Sequence, residues 1–458
     1  MTSECMGNGG RCSLTEELSI VKHARQTHNG RAKLLVVELN EFSVELFRHA
    51  AKELDLPNIS RMLTWRHTLT TTVDRIEHQG LDPWVQWVGI HSGVPTSEHG
   101  VKRLGLTRIQ SRKQIWHVLA DRGFRWAVWG AMNAPLGNTS GCAFFMPDPW
   151  SFDETAYPSV LNRLLSLPRY VSKNYLEINK GLALRYGLRF LSFFSPRWWA
   201  ILPRLSIVVL DSLARGGANV HTFTTLLDHL SVLVFVALRR RHDPDFSLIF
   251  LNHVAHVQHH FWRRSGRMHP QMRLALRLCD SALGLLTADA HRGEAILVLN
   301  GLKQVNVAGD GDYCYRQRNP EEALRAIGLR AFRIEQCMTN DGLILFETAA
   351  DAQAGEQTLR CSALSDGTKA FYVDRVDQKS VFYQIHFDHH VAPGTNLIAG
   401  ARSVPFDQLF ELVTERTGAH IAEGDVYACG IDVKPVLQNH EIFNEILEHF
   451  QAASLAGT

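Results

Sequence analysis

Four histidines fall within eight residues in the stretch Asn252-His253-Val254-Ala255-His256-Val257-Gln258-His259-His260, directly behind the apolar run 247–251. Imidazole is the commonest side-chain ligand for zinc-like cations. On a helix His253, His256 and His260 share one face, and so do His256 and His259. A second group, His386-Phe387-Asp388-His389-His390, also follows an apolar run and leads into Pro393-Gly394. Two such loops can bring ligands together from distant parts of the chain; a solvated, His-rich helix start is the plainer alternative. Glu38-Leu39-Asn40-Glu41 ends the first apolar run. Its carboxylates and amide suit a hard cation or acid–base work. Glu38 falls inside the strand pattern and needs a partner if it is buried. Asp82-Pro83-Trp84 opens a Trp-rich stretch, either an anion-binding helix start or simply a buried helix.

The elements that must position these residues alternate. Lys33–Leu39 reads as a strand, followed by a loop and an amphipathic helix reaching Arg61. Thr68–Val73 is a second strand. Pro83–His91 is a helix with Asp82 at its N-cap, and helix Arg112–Arg122 precedes strand Trp126–Trp129. Ser247–Leu251 and Ala295–Leu299 are unbroken apolar runs, as in strands buried on both faces, with helix Gln271–Leu286 between them. The predicted class is a three-layer α/β/α fold around a mostly parallel sheet. In such sheets ligands bind beyond the carboxyl ends of the strands. Two segments interrupt the rhythm: a helical insertion or cap at 155–240, and a small α+β insertion at 310–380. Val381–Ile385 and Asn396–Ala399 are expected to resume the sheet. Helices Phe406–Arg416 and Glu441–Gln451 close the chain.

Composition narrows the function classes. The 458 residues carry 48 Lys+Arg against 46 Asp+Glu, a net charge of +2. That balance creates no overall field to gather nucleic acid or an anionic membrane. Hydrophobic residues make up 45%, enough for a large core. No transmembrane segment is expected: the apolar stretch 188–212 is cut by Pro and Arg, and 231–238 is too short. Residues 1–30 are polar, have no apolar signal core and read as a disordered arm. The eight cysteines contain no CxxC pair, which points to reduced thiols and the cytoplasm.

The order of elements and several motifs resemble the alkaline phosphatase superfamily, in its type I phosphodiesterase and nucleotide pyrophosphatase branch. The similarity runs from about Lys33 to Gly430. It rests on Leu56-Pro57-Asn58-Ile59, on Ser92-Gly93 through Pro95 to His99-Gly100, on Gln258-His259 with Phe261-Trp262, and on His390 with Pro393-Gly394 and Ile398-Ala399-Gly400. The resemblance implies a divalent-metal hydrolase of phosphoesters. His259 and His390 match the two imidazoles of one metal, whose Asp falls on Ala255, with His256 as a substitute. For the second metal, the first-strand Asp falls on Asn40 and an Asp-His pair on Asn300-Gly301. The nucleophile falls near Asp82-Pro83, where no hydroxyl stands.

The expectation is therefore a remodelled single-metal site, with zinc held by His259, His390 and His256 or His253. Glu41, Asn40 and Asn300 line the opposite wall. Asp82 serves as nucleophile or base, and the helix start at Asp82–Trp84 receives a small anionic substrate. The helical insertion, with Trp198-Trp199, forms an apolar lid that selects a lipid-like or aromatic leaving group. Two rivals remain open: a non-catalytic ligand-binding protein, and an enzyme of group transfer or elimination on the same fold.

Overall fold

The computed structural model describes residues 31–75, 80–107, 112–174, 178–199, 202–290 and 293–456. The arm read from residues 1–30 lies outside them. The main sheet has eight strands: β1 (Leu34–Leu39), β2 (Arg66–Thr71), β3 (Trp126–Trp129), β4 (Cys142–Met146), β5 (Phe246–Leu251), β6 (Ala295–Leu299), β7 (Glu423–Cys429) and β8 (Val436–Gln438). Their spatial order is β8-β2-β7-β6-β1-β5-β3-β4. β1 runs parallel to β5 and β6, with Val37 opposite both Ile249 and Val298. β7 is antiparallel to its neighbours β6 and β2.

All six residues of β1 are buried, and alternation sends them into two cores. Leu35, Val37 and Leu39 enter the core that includes residues of helices Val44–Leu54, Val220–His242 and Pro270–Asp289. Leu34 and Val36 enter the core of helices Pro83–Ser92, Ile115–Asp121 and Ile442–Ala456. Glu38 alternates onto this second side. There its carboxylate meets His91 of helix Pro83–Ser92 at 2.7 Å, the partner that a charged residue in a buried strand requires.

The helical insertion lies between β4 and β5 as helices Asn162–Lys173, Lys180–Leu191, Leu202–Gly216 and Val220–His242. The last is, by length and composition, apolar enough to cross a membrane, but more than half of its apolar window is buried in the protein. It packs along Pro270–Asp289 as a core helix does.

The second interruption is longer than expected. Every strand from Lys303 to Ile421 lies outside the main sheet. Ser380–Ile385 joins a four-stranded antiparallel sheet with Phe332–Gln336, Asp341–Phe346 and Phe371–Arg375. Asn396–Ala399 joins a three-stranded one. The main sheet resumes only at β7. The expected helix Phe406–Arg416 is helical over Phe406–Leu409 alone. Phe410–Glu415 is a strand paired with Tyr313–Gln317. Its Leu-Val-Thr run favours an extended chain, and the ladder satisfies the backbone groups of both segments. A separate core around Leu324, Ile344, Phe371 and Tyr383 holds this lobe together.

Candidate metal centre

Asn40, Asn252 and Asn300 each stand immediately after a buried parallel strand, β1, β5 and β6. The turn behind β1 places Glu41 in the left-handed region, φ 56°. Backbone bonds from Glu41 N to Asn300 O (3.1 Å) and from Gln304 N to Glu41 O (3.2 Å) tie this turn to the exit of β6. Gln258 clamps it from the other side. Its Nε2 donates to Glu41 O at 2.8 Å, and its Oε1 accepts from Ser43 N at 3.0 Å. The residue after Gln258 is His259. The Gln-His step thus fixes the turn with one side chain and supplies an imidazole with the next.

The third participant is His420, on the short strand Gly418–Ile421. This strand pairs with Lys303–Asn306 and sets His420 directly opposite Gln304. Nε2 of His420 lies 2.9 Å from Glu41 Oε2, and Nε2 of His259 lies 3.1 Å from the same oxygen. Gln304 Nε2 also donates to Glu41 Oε2 and sits 3.0 Å from His259 Nε2. Glu41 is buried, its side chain 3% exposed, while the imidazoles of His259 and His420 are 28% and 20% exposed. The three ligand atoms lie within 4.8 Å of one another.

The outer nitrogens of both rings are committed. Nδ1 of His420 donates to Leu81 O at 2.6 Å, and Nδ1 of His259 faces Gly418 O at 3.3 Å. A side chain at position 418 would collide with Gln304 Oε1 and with Gln258 O, so only glycine admits this approach. With Nδ1 protonated, each neutral ring turns a lone pair toward the Glu41 oxygen. A proton on an Nε2 atom, or a cation among the three atoms, removes the repulsion between such a lone pair and the carboxylate; Gln304 Nε2 also stands 3.0 Å from His259 Nε2. Nδ1–H bonded to a backbone carbonyl is the outer-shell arrangement that orients a metal-ligating histidine. The donor set of two imidazole nitrogens and one carboxylate oxygen fits zinc. Burial pushes the Glu41 pKa up, but the charge of His420 and the bonds from both imidazoles hold it well below the usual carboxylate range. Burial acts to lower the His420 pKa, but Glu41 and the bond to Leu81 O raise it overall.

The side of Glu41 away from His259 and His420 is closed by packing. Asn40 Nδ2 donates to Glu41 Oε1 (2.9 Å) and Asn252 Oδ1 (2.8 Å), while its Oδ1 accepts from Trp87 Nε1 (2.8 Å). Asn300 Nδ2 donates to Phe42 O at 2.9 Å, and its Oδ1 accepts from Asp425 N at 2.8 Å. Both amides are buried, and these bonds are made within the protein. Gly301, at φ +71°, has no Cβ; one would stand 3.0 Å from the Trp87 ring. A fully buried indole thus covers the place where a ligand side chain at position 301 would begin.

Among the residues singled out from sequence, Glu41 and His259 come together. His256 belongs to a different group. Its Nε2 lies 2.8 Å from His221 Nδ1, and its ring packs edge-on against His260. Burial pushes His256 down to about 3 and His260 to about 4, aided by the neighbouring imidazoles. His253 is held by Asp228 at 2.9 Å. His390 is exposed, against Tyr313 at 5.7 Å between rings, and His420 stands where an imidazole from the second His-rich loop was expected. Trp84 Nε1 reaches Lys102 O at 3.3 Å. Sequence reasoning missed His420 and Gln304. The available signal was Thr417-Gly418 just ahead of His420 and of β7.

Asp82 sits at the N-cap of helix Pro83–Ser92 without capping it, one residue from the carbonyl that holds His420. Burial raises its pKa to about 7; His420 and Arg416 oppose the rise, while Asp341 and Glu41 add to it. Arg416 pairs with Asp312 at 3.5 Å. The rim beside Glu41, His259 and His420 therefore carries a carboxyl able to exchange a proton near neutrality and a permanent cation.

No protein-family model matches the chain, and no curated protein matches it. Solved structures do. Over 92% of this chain the fold is similar to phosphonoacetate hydrolase from Sinorhizobium meliloti 1021, at 14% identity and TM-score 0.42, covering 96% of that chain. It is similar to human ectonucleotide pyrophosphatase/phosphodiesterase 5 at 8% identity and TM-score 0.47, covering 95%. It is also similar to TAB5 alkaline phosphatase at 11% identity and TM-score 0.39, covering 98%. These are alkaline phosphatase superfamily members. The likeness is one of fold.

Proposed function

We propose that the protein is a hydrolase of a phosphoester, or a related anionic ester, that depends on one divalent cation held by Glu41, His259 and His420. The observation that carries this reading is the convergence of two imidazole Nε2 atoms on one buried carboxylate oxygen, with both Nδ1 atoms facing backbone carbonyls. Zinc is the cation this donor set favours. Bound there, it would polarise an anionic oxygen and acidify a water molecule. Asp82, whose carboxyl burial brings to about 7, would accept the proton of the attacking water and return it to the departing alkoxide as the ester bond breaks. Arg416 draws the anionic group of the substrate to the rim. Trp87, Asn40 and Gly301 restrict the site to a single cation. The cytoplasm is the compartment we assign.

Turnover of phosphomonoester, phosphodiester and sulfate ester panels, with zinc, manganese or magnesium added to chelator-treated protein, tests this. Metal-dependent hydrolysis of one class, lost in His420→Ala and Asp82→Asn, is expected. Tight metal binding without turnover on any panel would instead favour a binding protein, or an enzyme of group transfer or elimination.

A further inference from the structure

The helical insertion leaves much of its apolar surface uncovered. Helix Lys180–Leu191 contains no buried residue, and helix Leu202–Gly216 buries only Ser212. Leu184, Leu188 and Leu191 recur at i, i+4 and i+7, one face of the first helix. Ile207 and Leu210 share a face of the second. With Trp199 between the helices, these six side chains are 60–69% exposed. Single exposed leucines are ordinary, but this many in one insertion mark an interaction surface.

The charges around them are mostly positive. From 171 to 223 the chain has Lys173, Lys180, Arg185, Arg189, Arg197, Arg204 and Arg215 against Glu177 and Asp211. Asp211 is already paired with Arg215 at 2.7 Å. The whole chain is nearly balanced, so the basic excess belongs to this insertion. An apolar helix face flanked by Lys and Arg, with an exposed tryptophan, fits the boundary between lipid headgroups and acyl chains. Helices of 12 and 15 residues are about 18 and 22 Å long. That is short of the ~30 Å hydrocarbon core, so they lie on a bilayer and do not span it. A second copy of the chain would set one basic face against another.

We propose that helices Lys180–Leu191 and Leu202–Gly216 of the insertion, with Trp199, dock the protein on the surface of an anionic lipid bilayer. Leu184, Leu188, Leu191, Trp199, Ile207 and Leu210 enter the interface, and the flanking Lys and Arg meet the headgroup phosphates. The test is co-sedimentation of the full chain with phosphatidylcholine vesicles, with and without phosphatidylglycerol, at low and high salt. The expected result is sedimentation that requires phosphatidylglycerol and weakens with salt. It should fall at least about tenfold in Leu184→Glu/Leu188→Glu and in Arg185→Glu/Arg189→Glu. All four positions are exposed, so both variants should keep the wild-type circular dichroism and melting temperature. Three results would overturn the proposal: no binding to anionic vesicles, wild-type binding by both folded variants, or a self-associated protein that the leucine variant makes monomeric.

Discussion

Asp82→Asn should stabilise the apo protein, and only at the alkaline end. The carboxyl titrates at 3.8 in an ordinary setting and at about 7 here, because burial penalises its charged form. Below pH 3.8 both folded and unfolded chains carry the proton, and the side chain costs nothing. As pH rises from about 4 to 7 the unfolded chain releases it first. Stability then falls by about 1.4 kcal/mol per pH unit, and the loss is complete once the folded form has ionised too. Between pH 5 and 8 this is an upper bound of about 3 kcal/mol; partial exposure of the side chain reduces it to about 1–2. The asparagine has no such dependence. Urea denaturation of both proteins in chelator at pH 5 and pH 8 isolates the effect, since all other groups are common to both. The variant should gain about 1–2 kcal/mol relative to wild type on moving from pH 5 to 8. A difference that stays constant, or one that favours wild type at pH 8, would refute the assignment of a buried acid near neutrality.

Three further outcomes follow from the packing beneath the site. His91→Ala leaves the Glu38 carboxylate buried without a partner and should cost about 3–5 kcal/mol by denaturant titration, whereas Glu38→Gln should cost distinctly less. Gly301→Ala places a Cβ 3.0 Å from Trp87 at a left-handed φ; a loss of about 1–3 kcal/mol with a shift in tryptophan fluorescence is expected. Asn40→Asp replaces the donor to Glu41 Oε1 with a like charge. In chelator it should lose about 2–3 kcal/mol, and added zinc should raise its melting temperature by more than it raises that of wild type.

The parallel strands and the residues directly behind them were legible from local pattern. β5 and β6 are near-continuous apolar runs and β1 is one broken by Glu38, and a carboxylate or imidazole following such a run is carried to the carboxyl end of the sheet. That reasoning finds Glu41 and His259. It fails for His420 because the only local mark, Thr417-Gly418 just ahead of it, names no partner for the ring. The ring reaches Glu41 only because Gly418–Ile421 pairs with Lys303–Asn306, a contact between segments more than a hundred residues apart. The density of histidines at 386–390 drew attention to a loop whose His390 faces outward, and the His256 cluster is an imidazole contact with His221 that spacing on one helix does not reveal. The expected return of the sheet at Val381 failed for a related reason: a short apolar strand carries no record of which sheet it joins. Trp87, Asn40 and Gly301 were individually visible, but their packing against one another was not.

The cation itself is the decisive measurement. Titration of chelator-treated protein with zinc, followed by elemental analysis after gel filtration, should give one equivalent per chain. His259→Ala, His420→Ala and Glu41→Gln should each lower the affinity by about tenfold or more, while His390→Ala and His256→Ala should retain it. Metal-free wild type, or binding lost in His390→Ala and kept in His420→Ala, would contradict a centre built from Glu41, His259 and His420.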